Sequence, residues 1–191
     1  MLRILFPDAP LENLSIEREA TGADAELQHF QETDADRIPT KVWAECDAII
    51  CYHLMHLDKS VLDRTRKCRI VIRAGVGFDN VDLAAAGAKG IAVCNTPDVL
   101  NDDVADLAIA LMLMTARRLL VVDRYVRDGK WPKHGEHELA HRASGKRVGI
   151  LGLGRIGRAI AQRAEAMNNS IAYHSRRPVA DAPYKHYASA V

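Results

Sequence analysis

The chain has 191 residues, of which 48% are hydrophobic, 27% charged and 5% aromatic. These proportions are typical of a soluble globular protein with one or two domains, and they exclude disordered and fibrous chains. Lysine and arginine total 26 against 25 aspartates and glutamates, which leaves a net charge of +1. Because no field of one sign would gather nucleic acid or anionic lipid, we expect neither as a partner.

The beginning of the chain, its apolar runs and its cysteines predict a cytoplasmic location. The first apolar run meets Pro7 too early for a secretory signal. The most apolar stretch, Leu107 to Met114, is too short to cross a bilayer. The cysteines form no C-x-x-C pair, which predicts reduced thiols and no disulfide framework. They are Cys46, Cys51, Cys68 and Cys94.

Short apolar runs alternate with helix-like segments through the first half of the chain. This alternation predicts an α/β fold with a parallel sheet, because parallel strands need crossover connections. The more polar run Glu26–Phe30 predicts an edge strand. The other predicted strands are Leu2–Phe6, Asp47–Tyr52, Arg69–Arg73 and Ile91–Asn95, and the predicted helices are Leu14–Ala20, Val42–Glu45, Ser60–Arg66 and Val81–Ala88.

An apolar stripe at helical spacing predicts one long helix from Asn101 to Arg127, ended by Gly129 and Pro132. At 1.5 Å per residue it would be roughly 40 Å long, enough to bridge two domains. The polar segment from Trp131 to Ser144 predicts a surface loop. Its three histidines have helical spacing, but no further ligand is fixed nearby, so we favour a solvated linker over a zinc site. They are His134, His137 and His141.

A dinucleotide site is predicted by the segment that begins at Lys146. In this segment a strand is followed by a G-x-G-x-x-G motif, a helix and a second strand. The first glycine permits a tight turn, the second lets the backbone approach a pyrophosphate, and the third lets helix and strand pack closely. Free N–H groups at the helix start supply the anion site. The alternative is a tight turn that binds no ligand. The motif consists of Gly152, Leu153, Gly154, Arg155, Ile156 and Gly157.

The end of the second strand of this unit holds Ser175, Arg176 and Arg177, where NAD-preferring domains have an acidic residue. Guanidinium groups match the oxygens of a 2′-phosphate, which a carboxylate would repel. The pattern therefore favours NADP over NAD, with NAD still possible. The alternative is a solvated basic pair in front of Pro178.

Three motifs occur in order: Arg73–Asp82, Gly90–Pro97 with the helix that contains Asp103–Asp106, and Gly152–Gly157. With them the sequence resembles the D-isomer-specific 2-hydroxyacid dehydrogenases over nearly its whole length. From Trp131 onward it is most similar to the NADP-preferring hydroxypyruvate and glyoxylate reductases. The resemblance implies a flavodoxin-like substrate domain over residues 1–97. It further implies that residues 98–191 hold the long interdomain helix and an incomplete Rossmann domain.

The resemblance also implies that the turn at Gly75, Val76 and Gly77 presents backbone N–H groups to a substrate carboxylate. The residues support this role, because two glycines at the end of a parallel strand leave amides unblocked at the edge where ligands bind. Tyr52 and His53 end the neighbouring strand and could line the same pocket. The alternatives are a purely structural turn and a histidine that touches no ligand.

Members of this family carry their catalytic arginine, glutamate and histidine beyond the second nucleotide-domain strand, so we assign no catalytic residue here. We expect the chain to be truncated and inactive alone. The resemblance implies an oxidoreductase that reduces a small 2-keto acid, glyoxylate or hydroxypyruvate, with NADP(H), and a homodimer formed through the long helix. The alternative is a non-catalytic, nucleotide-binding sensor or corepressor-like scaffold.

Overall fold

A computed structural model describes residues 1–190, which divide after Pro97 into two compact units. Unit 1 runs from Met1 to Pro97, and unit 2 begins at Asp98. Both units are built from parallel strands and helices, which confirms the predicted α/β fold class. Among the described residues, no helix combines the length and the apolar character that a membrane span requires.

Unit 1 contains one sheet of five parallel strands, which confirms the five predicted strands. They are β1 (Leu2–Phe6), β2 (Ala25–His29), β3 (Ala48–Cys51), β4 (Ile70–Arg73) and β5 (Ala92–Asn95). Their order is β2-β1-β3-β4-β5, which is the flavodoxin-like order. The polar strand β2 lies at the edge of the sheet, as its composition predicts. The carboxyl ends of β3 and β4 are neighbours, because Cys51 pairs with Arg73.

Four helices connect these strands: α1 (Ser15–Thr21), α2 (Thr40–Glu45), α3 (Lys59–Leu62) and α4 (Leu83–Ala88). Aspartates begin two of them, because the Asp58 carboxylate accepts the N–H of Val61 and the Asp82 carboxylate accepts that of Ala85. The core lies between helices and sheet and includes the fully buried Trp43, whose indole N–H donates to a backbone carbonyl. Other buried core residues are Ile49, Leu57, Leu62 and Val71.

Unit 2 contains a three-stranded parallel sheet and the helix that follows the glycine motif. The strands are β6 (Arg147–Leu151), β7 (Ser170–His174) and β8 (Lys185–Tyr187), paired in that order. Strand β8 was not predicted, because its three residues, Lys, His and Tyr, form no apolar run. Helix α8 (Arg155–Ala166) begins directly after Gly154.

The prediction of one long helix is wrong. Residues Asn101–Arg117 form α5 and residues Leu119–Arg127 form α6, separated by Arg118 in the left-handed conformation with φ of 52°. The break is stabilised from the segment that follows, because the N–H of His141 donates to the Ala116 carbonyl at 3.0 Å. A single left-handed residue leaves the apolar spacing nearly unchanged, so periodicity does not show it. Helix α5 belongs to unit 2.

The segment predicted as a loop after α6 contains a one-turn helix, α7 (Trp131–His134). Pro132 lies in its first turn, a position where the missing N–H costs nothing. Pro132 therefore begins a helix, whereas Gly129, with φ of 65°, follows the end of α6. The remainder of this segment up to Ser144 has no regular structure.

Helices α5 and α8 pack against each other through small side chains. Ala105 of α5 and Ala161 of α8 are both completely buried, and alanine lets helices approach closely. At the edge of this contact the Arg163 guanidinium binds Asp106 at 2.6 Å and Asp102 at 2.9 Å. The contact fixes the first turns of α5 relative to α8 within unit 2.

Candidate functional site

The glycine turn of unit 2 leaves backbone amides free at the start of α8. Gly152 has φ of +91°, a conformation that favours glycine, and its N–H donates to the His174 carbonyl at 2.8 Å. Gly154 is extended and caps the twelve-residue helix α8. A Cβ built at Gly154 meets no atom within 4 Å. The unpaired first-turn N–H groups of α8 therefore border open space that suits an anion.

Gly157 differs from the other two glycines because it is buried in the first turn of α8. A Cβ placed there would lie 2.2 Å from the Gly152 carbonyl oxygen and 3.3 Å from a methyl carbon of Ile150. The helix can pack this closely on the turn only because position 157 has no side chain. One motif thus contains a glycine that the packing of the fold needs, Gly157, and a glycine at which no protein atom would meet a side chain, Gly154.

A cavity of about 920 Å³ lies beside this turn. Arg176 and Arg177 are exposed at its rim, and of the lining residues that the structure describes none carries a carboxylate. The Ser175 hydroxyl donates to the Arg177 carbonyl at 2.6 Å, so its hydrogen is already used within the turn. The cavity is lined by Leu151, Gly152, Leu153, Gly154, His174, Ser175, Arg176, Arg177 and Val179.

Strand β8 supports the basic rim of this cavity. The His186 Nε2 lies 3.1 Å from the Ser175 carbonyl oxygen, and the His174 Nδ1 lies 2.9 Å from the Tyr187 carbonyl oxygen. Because carbonyl oxygens only accept, each of these ring nitrogens carries the donated hydrogen. The two imidazoles stack with centroids 6.3 Å apart. Sequence reasoning missed this support together with the strand that provides it.

In unit 1, the turn after β4 forms a second set of free amides. The Gly75 carbonyl accepts the Thr96 N–H at 3.0 Å, and the Val76 carbonyl accepts the Asn95 side-chain amide at 2.8 Å. Among residues 1–190, the N–H groups of Gly75, Val76 and Gly77 donate to no protein acceptor. The carbonyls of Gly75 and Val76 are thus bound by the end of β5 and the residue after it, while the amides of the turn are free to bind a ligand. This arrangement can bind an anion such as a carboxylate.

Arg73 adds a positive charge to this turn, and sequence reasoning missed it. Its Nη1 donates to the Ala74 carbonyl and would lie only 1.6 Å from a Cβ at Gly75. The guanidinium therefore fills the space that glycine leaves open. Its Nε is buried and has no hydrogen-bond partner among the described residues. A cation at the last residue of a strand that ends in free amides strengthens the attraction for an anion.

Two buried polar residues hold the segment after β3. The Asp8 carboxylate is completely buried and accepts the N–H groups of Tyr52, Leu54 and Met55 at 2.8 to 3.0 Å. The side chain of Asn80 donates to the carbonyls of Tyr52 and Met55 at 3.0 and 2.8 Å. This segment is therefore fixed rather than mobile. In the sequence both residues are typical of surface turns, so nothing marked them as anchors.

The Tyr52 and His53 side chains have different surroundings. The Tyr52 side chain is half-buried against the cluster of Phe6, Ala9 and Leu14, and burial raises the pKa of its hydroxyl. His53 is exposed. Contact of either side chain with a ligand at the turn after β4 stays a prediction.

The three histidines after α6 have separate surroundings. The His137 ring meets Tyr125 edge-on at 5.0 Å, His141 uses its backbone N–H to hold the end of α5, and His134 ends α7. Within residues 1–190, no three histidines, cysteines or acidic residues are grouped as metal ligands. The absence of zinc stays a prediction.

All four cysteines are free thiols, and three are buried. Burial raises the pKa of Cys51 to about 12, and a hydrogen bond to Cys68 together with burial raises that of Cys46. Cys94 is exposed. The absence of a disulfide framework stays a prediction.

Comparison with known proteins identifies the fold and the motifs. The catalytic domain described as D-isomer specific 2-hydroxyacid dehydrogenase matches residues 6–182. A glyoxylate/hydroxypyruvate reductase A of Arabidopsis thaliana is 52% identical over 134 residues, which are 70% of this chain and 42% of that protein. A glyoxylate reductase of Pyrococcus horikoshii is 47% identical over 137 residues, 69% of this chain and 41% of that protein. The chain spans about two fifths of the length of these relatives.

A solved structure resembles the whole described chain. The NADPH-dependent glyoxylate/hydroxypyruvate reductase of Sinorhizobium meliloti, in complex with NADP and malonate, superposes with a TM-score of 0.84 at 35% identity. The match covers 97% of this chain and 57% of that one. The malonate complex shows that this similar protein accommodates a small carboxylic acid.

Proposed function

The chain belongs to the D-isomer-specific 2-hydroxyacid dehydrogenase family, and on that premise we propose that it provides the binding sites of an NADP(H)-dependent reductase of small 2-keto acids, of the glyoxylate or hydroxypyruvate class. Unit 1, residues 1–97, would bind the acid, and unit 2, from Asp98 onward, would bind the dinucleotide. The observation that carries the proposal is the glycine turn before α8, whose free amides border a cavity with a basic rim.

The residues of unit 2 fit NADP(H). Free N–H groups after Gly154 suit the pyrophosphate, and Arg176 and Arg177 suit the 2′-phosphate with charge-assisted hydrogen bonds. NADPH, when bound, supplies the hydride. The name of the Sinorhizobium meliloti reductase, which describes that protein as NADPH-dependent, supports the same preference.

The residues of unit 1 fit the carboxylate of a keto acid. The amides of Gly75, Val76 and Gly77 would donate to its oxygens, and Arg73 would favour the negative charge electrostatically. Holding the carboxylate at a fixed turn orients the adjacent keto carbon, which lowers the entropic cost of reaction. Asp8 and Asn80 keep the neighbouring segment in place, so the site needs little reorganisation when the acid binds.

A titration of nucleotide fluorescence tests the cofactor preference. We expect tighter binding of NADPH than of NADH. Arg176→Ala should weaken NADPH binding by about tenfold or more, because it removes one charge-assisted contact of roughly 1.5–3 kcal/mol, and should leave NADH binding unchanged. Arg124→Ala, which removes an exposed arginine of α6, is the matched control. Equal affinities of the unaltered protein for the two nucleotides would refute the NADP assignment.

We propose that the 191 residues bind but do not catalyse. Among residues 1–190, no histidine lies within ion-pair distance of a carboxylate, so no paired acid is available to deliver the proton, a contribution of about 10²–10⁴-fold. This observation also favours the second candidate function, a nucleotide-binding sensor or scaffold. An assay of NADPH oxidation with glyoxylate and hydroxypyruvate tests the point. Ordinary turnover would make His53 the first residue to substitute.

We further propose a homodimer through α5 and α6. Apolar side chains on both helices are more than half exposed, including Leu107 at 58%, Leu111 at 52% and Leu120 at 68%. Exposed apolar surface of this extent is typical of an interaction face. Light scattering after size-exclusion chromatography should give twice the mass of the chain, and Leu111→Glu should give the monomer.

A further inference from the structure

An aspartate from the start of unit 2 binds the arginine of the glycine motif. The Arg155 Nε lies 2.9 Å from the Asp98 Oδ1, and the same oxygen accepts the side-chain amide of Asn101 at 3.1 Å. Arg155 is the first residue of α8 and directly follows Gly154, at the point where the free amides face open space. Asp98 therefore places a negative charge beside the proposed pyrophosphate site.

The backbone fixes the position of this carboxylate. Asp98 has φ of +73°, an uncommon conformation that Asp and Asn tolerate better than most residues. Its carbonyl accepts the N–H of Asn101 at 3.2 Å, which forms the turn into α5. Helix α5 is in turn held against α8 by buried alanines and by the pair of aspartates on Arg163. The Asp98 carboxylate thus stays within reach of Arg155.

We propose that Asp98 is an internal anion that occupies Arg155 in the absence of a dinucleotide and competes with the pyrophosphate for it. The inference rests on the proposed function of the glycine turn. A pyrophosphate offers several oxygens and more than one negative charge, whereas Asp98 offers one charge in an ion pair whose side chains are 60% and 66% exposed. An exposed pair of this kind is weak, so the dinucleotide displaces it. The displacement lowers the affinity for the cofactor.

The competition predicts a specific pattern of affinities. Asp98→Asn keeps the tolerance for positive φ and keeps an oxygen that can accept from Asn101, but it removes the charge. We expect Asp98→Asn to bind NADPH about two- to fivefold more tightly, the range that the loss of one exposed ion pair allows. NADH should gain by the same factor, because both nucleotides contain the pyrophosphate. The gain should shrink at about 0.5 M salt, where exposed charges are screened.

Asp102→Asn is the matched control. Asp102 is also an aspartate near the start of α5 that forms an ion pair with an arginine of α8, but its partner is Arg163, which lies away from the glycine turn. It should leave both affinities unchanged. In a background that carries Arg155→Ala, Asp98→Asn should lose its effect, which shows that the two side chains act as a pair. Thermal unfolding of each variant verifies that the fold is retained.

The outcomes separate the inference from the proposed function. Unchanged or weaker binding by Asp98→Asn, in a protein that binds NADPH, would overturn the competition and leave the nucleotide site intact. Weaker binding would mean that Asp98 positions Arg155 for the ligand. A protein that binds neither NADPH nor NADH would overturn the proposed function and the inference with it.

Discussion

Adding a methyl group at two glycines of one motif should affect two different properties, the stability of the fold at one position and the affinity for the dinucleotide at the other. Gly157 is buried against the carbonyl of Gly152, whereas Gly154 faces open space. Gly157→Ala should therefore lower the stability of the fold, and Gly154→Ala should lower the affinity for the dinucleotide. The two substitutions are chemically identical and lie three residues apart, so each serves as the control for the other.

The size of the first effect follows from the geometry. The added Cβ at position 157 would lie 2.2 Å from the oxygen of Gly152, about 1 Å closer than atoms normally approach. Backbone cannot rotate away as a side chain can, so α8 must shift on the sheet. Overpacking of this kind costs about 1–3 kcal/mol, and the better helix propensity of alanine returns up to about 1 kcal/mol. We expect a net loss of about 1–2 kcal/mol in the free energy of unfolding.

At position 154 the methyl group meets no protein atom within 4 Å. The backbone is extended with φ of −84°, which alanine also adopts. The free energy of unfolding should therefore change by less than about 0.5 kcal/mol. The same methyl group lies where a pyrophosphate must approach the backbone, so the Kd for NADPH should rise at least about tenfold, or about 1.4 kcal/mol.

Urea denaturation followed by circular dichroism gives the stability of both variants, and fluorescence titration gives their NADPH affinity. A shift in the midpoint at constant slope is the expected result for Gly157→Ala. If Gly157→Ala is as stable as the unaltered protein, the close packing of α8 on the turn is not what requires this glycine. If Gly154→Ala binds NADPH normally, the pyrophosphate lies elsewhere.

Three further predictions concern unit 1. Asp8→Ala should lower the free energy of unfolding, measured by urea denaturation, by about 3 kcal/mol or more, because three N–H groups lose their acceptor. Asp24→Ala, at an exposed position, is the control, and an equal effect of the two substitutions would contradict the role of Asp8. A thiol reagent near pH 8 should modify the exposed Cys94 quickly and the other cysteines only after unfolding, because Cys46, Cys51 and Cys68 are buried and burial also raises the pKa of Cys51 to about 12. Rapid modification of a second thiol would refute this. Gly77→Val, made in a full-length relative, should raise KM for keto acid several-fold more than it changes kcat, and an unchanged KM would place the acid elsewhere.

The strands of unit 1 and the glycine motif could be predicted because they depend on local sequence. An apolar run of four or five residues is enough to specify a buried parallel strand, and G-x-G-x-x-G between a strand and a helix has few other uses. The break at Arg118 could not be predicted, because one left-handed residue ends a helix without interrupting the spacing of apolar residues in the sequence. Strand β8 is specified by its pairing with β7 rather than by its own composition.

The anchors of the unit 1 site depend on contacts between residues far apart in the chain, so no local pattern indicated them. Asp8 meets the N–H of Tyr52 across 44 residues, and Asn80 meets the Tyr52 carbonyl across 28. Aspartate and asparagine are mostly exposed in proteins, so their residue type alone does not indicate a buried anchor. Arg73 was missed for a related reason, because its importance comes from the space left by Gly75.

Both candidate sites contain a glycine turn at the carboxyl end of a parallel strand, but they differ in the charged side chains beside that turn. The turn in unit 1 combines three neutral amides with the single cation Arg73, which suits one carboxylate. The turn in unit 2 combines amides with Arg155, Arg176 and Arg177, which suits a ligand with several phosphates. An arginine cluster left free would bind any polyanion of the cell, so a carboxylate such as Asp98, held on Arg155, raises the charge that a ligand must bring to displace it. On this proposal a singly charged anion gains less by displacing Asp98 from Arg155 than a dinucleotide does, so the ion pair favours the more highly charged ligand.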